Sequence, residues 1–140
     1  MGVSKASAEW KGGFKAGAGT MKPEHAEAAK FSLSSRFEGQ QGSNPEELIG
    51  AALAGCFSMA LTVGLEKAGL APQGVRTEAE VKLEKQGEGF AITGIALTTT
   101  ATVPGVDDAR FQAIAEETKK GCPVSKALGA VPITLKAALG

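Results

Sequence analysis

From Leu48 to Leu65 the chain carries no charged side chain, and Leu48, Ile49, Leu53, Phe57, Met59, Leu61, Val63 and Leu65 are spread around every face of a helix. A helix that is apolar all round is buried all round, so the rest of the chain must be arranged about this element. Its start is marked by Asn44 as N-cap, Pro45 at the first helical position and Glu47 three residues beyond the cap, the spacing of a capping box. Lys67, Gly69 and Pro72 mark its end. The helix is therefore expected over residues 44–68, with Cys56 near its middle.

An uncharged run of this length also meets the composition of a transmembrane span. Much of it is Gly, Ala, Ser and Thr, which add little transfer free energy, and its flanks lack clustered Lys or Arg and interfacial Trp or Tyr. Gly50, Ala51, Ala54 and Gly55 suit close packing, so the run reads as the central helix of a soluble protein with no membrane partner. The 140 residues fit one domain, 1–140, with enough chain for a core. Fifteen basic residues balance fifteen acidic ones and are scattered, which leaves no field to recruit nucleic acid. The first residues have no apolar signal core, which points to the cytoplasm; Met1-Gly2 opens like a myristoylation signal, but Ala6 stands where Ser or Thr is required. Two isolated cysteines and one histidine do not make a zinc spacing. No metal is expected, His25 reads as a solvated surface histidine, and cytoplasmic thiols are not expected to hold a permanent disulfide.

Taken in order, residues 6–22 read as a loose β-hairpin around Trp10, Phe14 and Thr20, broken by glycines. Residues 23–30 are polar, a loop or a turn of helix. Phe31, Leu33, Ser35 and Phe37 alternate with other residues, which predicts a short strand with Arg36 opposite the phenylalanines. Beyond the central helix, 75–84 and 90–103 predict two antiparallel strands joined at Gly87 and Gly89. Asp107 begins a helix ending at Gly121, Pro123 opens a short helical turn, and 131–136 alternate as a last strand. The fold class is α+β, with antiparallel sheet and a long central helix. One antiparallel sheet covers one side of a helix, so a second subunit is expected to cover the rest, giving a homodimer.

A cysteine inside an apolar helix is ordinarily an inert small hydrophobe, and Cys56 lies too far along its helix for the dipole to reach. Cys122, before Pro123, occupies an N-cap-like position that favours a thiolate. Residue by residue, Cys122 is the more reactive thiol. For Cys56 to ionise, the fold must bring a cation to it, and Arg36 is the candidate because guanidinium stays charged when buried. A carboxylate should orient that arginine. At about 100° per residue, Glu47 is half a turn from Cys56 and is explained by capping, whereas Glu46 is about 80° away around the axis, so Glu46 is chosen.

RFEG at residues 36–39, NPEELIGAALAGCFSMAL at 44–61, FAIT at 90–93, VPG at 103–105 and GCPVSKAL at 121–128 resemble the osmotically inducible protein C family, related to the organic hydroperoxide resistance proteins. The match spans nearly the whole chain in order. The resemblance implies antiparallel sheets wrapped around long central helices in an intertwined α+β homodimer. It also implies a thiol-dependent peroxidase acting on organic hydroperoxides and, to a lesser degree, hydrogen peroxide. Cys56 would be the peroxidatic thiolate, Cys122 the resolving thiol, and Arg36 with Glu46 the activating pair, which reverses the order of the cysteines argued above. Phe57 and Met59, with Phe37, would receive the organic substituent. An external dithiol, such as a lipoylated protein, would restore the thiols, and no haem, flavin, metal or other cofactor is implied. The competing reading is a redox-responsive or small-ligand-binding stress protein with little turnover.

Overall fold

The computed structural model describes residues 2–140, and the chain divides into two compact units, the first ending at Leu48 and the second comprising Ile49–Gly140. In the first unit β1 (Ala6–Lys11), β2 (Ala18–Pro23) and β3 (Ala29–Phe31) form an antiparallel sheet in the order β1-β2-β3. The expected hairpin is there, and β3 extends it. Gly19 makes its aromatic packing possible: a Cβ at that position would sit 2.7 Å from Phe31 and 2.8 Å from Trp10, whose rings lie 5.4 Å apart.

The strand expected through Phe37 is instead a helix, α1 (Leu33–Phe37), directly after β3. Ser32 is its N-cap and accepts from the Ser35 N–H at 3.1 Å, while the Ser35 hydroxyl accepts from the Ser32 N–H at 2.8 Å. This reciprocal box nucleates a turn that the alternation of Phe31, Leu33, Ser35 and Phe37 concealed. Gly39, at φ +68°, follows the C-cap Glu38 in the left-handed region where glycine is favoured.

The long helix α2 (Pro45–Lys67) begins in the first unit, where the Asn44 side chain accepts from the Glu47 N–H at 2.8 Å. Its end is a Schellman closure: the Leu70 N–H donates to the Leu65 carbonyl and the Gly69 N–H to that of Glu66, with Gly69 at φ +82°. In the second unit β4 (Gly74–Gln86) and β5 (Gly89–Thr102) pair antiparallel, and β6 (Ile133–Leu139) lies parallel to β5. That parallel pairing departs from the antiparallel expectation. Between β5 and β6 run α3 (Asp108–Gly121) and α4 (Pro123–Ala127), a crossover long enough to return the chain for parallel pairing.

The core of the second unit is built on the stripe Leu53, Phe57, Leu61 and Leu65, each with no exposed surface. Ile95, Leu97, Phe111 and Ala115 pack with it. Gly50 lets α2 approach β4, since a Cβ there would lie 3.2 Å from Val81, and Gly64 does the same at Ile114 of α3. A line of hydroxyls crosses the same contact: Ser58 donates to Thr77 at 2.7 Å, and Thr77 and Thr99 are 2.9 Å apart. The helix is not buried on every side within one chain, however. Met59 is 73% exposed and Val63 45%, because the sheet and α3 pack along the stripe and leave the opposite face uncovered. By length and composition α2 could cross a membrane, but its wholly buried stripe is the core of a packed unit.

Candidate active site

Cys56 projects from the fourth turn of α2, and Cys122 is the single residue between α3 and α4. The Cys122 N–H donates to the Thr118 carbonyl at 3.0 Å, closing α3, and its own carbonyl accepts from the Lys126 N–H at 3.0 Å, opening α4. Pinned between two helices, its sulfur lies 2.7 Å from that of Cys56. Both are free thiols, Cys56 half-buried and Cys122 buried. A disulfide bond of about 2.05 Å is within an ångström of this separation.

The surroundings divide the pair. Burial pushes the Cys56 thiol up, its hydrogen bond with Cys122 adds to this, and the Val124 N–H opposes it. Burial raises Cys122 as well, but the hydrogen bond with Cys56 and the nearby polar groups of Ser125 and Val124 outweigh it, so Cys122 is lowered. In the neutral pair the Cys122 thiol donates to Cys56. The donors that converge on Cys122 thus favour its thiolate, while burial disfavours that of Cys56. Exposure ranks the two the other way, since only Cys56 has surface to offer.

Arg36 and Glu46 meet in the first unit. The Arg36 Nε donates to both Glu46 carboxylate oxygens, at 3.1 and 3.2 Å, and an Nη donates to Oε1. Glu46 is only 7% exposed. The local fold makes this pair: the Ser35 hydroxyl donates to the Ser43 carbonyl at 2.7 Å and the Ser43 N–H to the Lys30 carbonyl at 2.8 Å, which fastens α1 beside the start of α2. Glu47 stands apart, accepting from the Ser43 hydroxyl. The choice of Glu46 over Glu47 as the partner of Arg36 is matched by this geometry.

The Arg36 guanidinium also lies 5.3 Å from the centre of the Phe37 ring, and both residues line a cleft of about 420 Å³ with Trp10, Gly12, Phe14, Phe31, Ser32 and Leu33. Of the three side chains proposed from sequence for an organic substituent, Phe37 is thus in a cavity wall. Phe57 lies wholly in the core and has no surface for a ligand, since it belongs to the i, i+4 stripe that packs α2; Met59 stands exposed on the helix. Trp10, Phe14, Phe31 and Leu33 were not singled out. Their only signal was a cluster of aromatics set among glycines. Among the described residues no cluster of His, Cys, Asp and Glu could hold a metal ion.

Residues 38–136 match the sequence family described as OsmC-like protein. The chain belongs to the OsmC family. Within it, the chain is 48% identical over 128 residues to Peroxiredoxin OsmC of Escherichia coli (strain K12), covering 90% of each. It is 32% identical over 101 residues to the organic hydroperoxide resistance protein of Xanthomonas axonopodis pv. citri, covering 69% of this chain and 68% of that one. Among solved structures it resembles the organic hydroperoxide resistance protein OhrB of Bacillus subtilis with a TM-score of 0.74 and 26% identity, over 95% and 97% of the two chains. The α+β architecture with two small sheets is the OsmC-family fold.

Proposed function

We propose that this OsmC-family protein is a cysteine-based peroxidase that reduces organic hydroperoxides. The observation that carries the reading is the contact of two free thiols, one reachable and one buried, at 2.7 Å. Peroxide meets Cys56, because Cys122 has no surface. As the Cys56 sulfur attacks the terminal peroxide oxygen, its proton passes to the Cys122 thiolate. The O–O bond breaks, the alkoxide takes that proton from Cys122 and leaves as alcohol, Cys56 becomes a sulfenic acid and Cys122 is again a thiolate. The Cys122 thiolate then attacks the Cys56 sulfur and expels hydroxide, which leaves as water, and the two sulfurs are joined before over-oxidation can proceed. An external dithiol, a lipoylated protein or a small dithiol, returns both thiols.

Arg36, already oriented by Glu46, is assigned the cationic role in the first step, and the aromatic cleft containing Phe37 is assigned the organic substituent. The uncovered face of α2 at Met59 and Val63 is assigned to a second copy of the chain, and the free thiols suit the reducing cytoplasm. Names borne by the relatives, peroxiredoxin and organic hydroperoxide resistance protein, support the reading.

Rapid-mixing of the reduced protein with one equivalent of an organic hydroperoxide tests it. Cys56→Ser should consume no peroxide. Cys122→Ser should consume one equivalent without cycling and then over-oxidise, and Arg36→Ala should slow the first step alone. Consumption that survives loss of Cys56 would overturn the proposal. The same aromatic cleft would serve a ligand-binding stress protein that turns over negligibly; steady-state turnover with a dithiol decides between the two.

A further inference from the structure

The Ser125 hydroxyl is the side-chain oxygen or nitrogen that is fully buried and has no hydrogen-bond partner among the described residues. Leaving a buried donor unpaired costs about 1–3 kcal/mol, so its place calls for a reason. Ser125 is three residues beyond Cys122, the N-cap of α4, which is the spacing of a capping box. In α1 the same spacing, Ser32 to Ser35, is closed in both directions. At α4 it cannot close, because the N–H that the Ser125 oxygen would accept from is already given to Thr118 as the end of α3. The hydroxyl is therefore left unspent within one helical turn of Cys122. A neutral thiol is a weak acceptor, whereas a thiolate receives charge-assisted hydrogen bonds that are about twice as strong as neutral ones.

We infer that Ser125 is a positioning residue for the disulfide half of the cycle, whose hydroxyl donates to Cys122 whenever that sulfur carries charge. Two steps put charge there. When Cys122 attacks the Cys56 sulfenic acid, it does so as thiolate. When a dithiol restores the pair, its thiolate attacks the Cys56 sulfur, the Cys56–Cys122 bond breaks and Cys122 leaves with the electron pair. The second dithiol sulfur then attacks its own bonded sulfur and frees Cys56, leaving an oxidised dithiol. A better-stabilised leaving thiolate departs faster. The Val124 N–H bears on both sulfurs and cannot tell them apart, whereas the hydroxyl bears on Cys122 alone. Charged side chains sharing the groove beside Cys122 are Lys67 of α2 and Glu117 of α3, opposite in sign, so they give no one-sided field.

The inference rests on the peroxidase reading for its purpose, but its test does not use peroxide. In a Cys56→Ser background, thiolate absorbance against pH reports Cys122 alone. Ser125→Ala should raise its midpoint by about one unit, the tenfold effect expected on losing one hydrogen bond to a charged sulfur, and Ser125→Thr should restore it. In the two-cysteine protein, at a pH above the Cys122 midpoint of both variants, Ser125→Ala should make the disulfide about tenfold harder to reduce against a reference dithiol, or about 30 mV more negative. Ser125→Gly, which also deletes the hydroxyl, serves if the alanine variant does not fold. An unmoved midpoint and potential would overturn the inference, as would a shift that threonine does not restore, since that would be lost packing. Peroxide consumption that fails in the unaltered protein while these shifts appear would sink the peroxidase reading and leave Ser125 in its role.

Discussion

Cys56 and Cys122 differ in both of the properties that make a thiol reactive, and in opposite senses. Cys56 has surface but is pushed up by burial and by its neighbour; Cys122 has donors but no surface. Contact at 2.7 Å sets these opposed properties side by side, so the two thiols titrate as a pair. Thiolate absorbance of the reduced protein should therefore rise in two steps, one below the ordinary thiol value of about 8.5 and one above it. A single two-thiol transition at the ordinary value would contradict the split. Stability follows from the same shifts. The Cys122 contribution is present above the ordinary thiol pKa and lost as pH falls through its lowered value; that of Cys56 is present below the ordinary pKa and lost as pH rises through its raised value. Relative to a Cys56→Ser/Cys122→Ser variant, stability should peak near the ordinary thiol pKa and decline on both sides.

At the scale of the element, α2 has one face that is closely packed and one that is not. Gly50 lies on the packed face, 3.2 Å from Val81 as measured from an added Cβ, while Gly55 has nothing within 4 Å. Gly50→Leu should destabilise by about 1–3 kcal/mol through overpacking, and Gly55→Ala should stabilise by about 0.5–1 kcal/mol through helix propensity. Thermal unfolding of the two variants checks the pair of signs, and equal effects would mean that the faces are not distinguished in this way. The helix was legible in the sequence almost to the residue, because its caps are local: Asn44 and Glu47 at one end, Gly69 at the other. Its face was not legible. With apolar residues on every side, no periodicity marked Leu53, Phe57, Leu61 and Leu65 as the stripe to be buried, and so Phe57 read as a ligand contact when it is core. The segment through Phe37 failed for the opposite reason, since a two-residue alternation was present but a Ser32–Ser35 box, itself visible in the sequence, overruled it.

For the whole molecule, the exposed side of α2 is the feature that one chain leaves unsettled. A helix with Met59 and Val63 open to solvent carries apolar surface that a second copy would remove from water, at about 25 cal/mol per Å² buried. We therefore expect the protein to sediment as a dimer and a Met59→Glu/Val63→Glu variant, which buries two charges in that contact, to sediment as a monomer. A monomeric parent would refute the assignment of this face.

By itself the sequence determined the α+β class, the place and ends of α2, the hairpin of the first unit, the strands β4 and β5 and the two helices that follow. Each of these is written in caps, turns and periodicities a few residues apart, where local backbone preferences act. It also carried, through resemblance, the two cysteines and the Arg36–Glu46 pair. Only the tertiary structure decided that Cys56 and Cys122, 66 positions apart, come into contact, that β6 runs parallel to β5, which face of α2 is core, and that the buried Ser125 hydroxyl finds no hydrogen-bond partner among the described residues. These are outcomes of packing distant segments against one another, and no local rule encodes which long-range contact wins when several apolar faces compete.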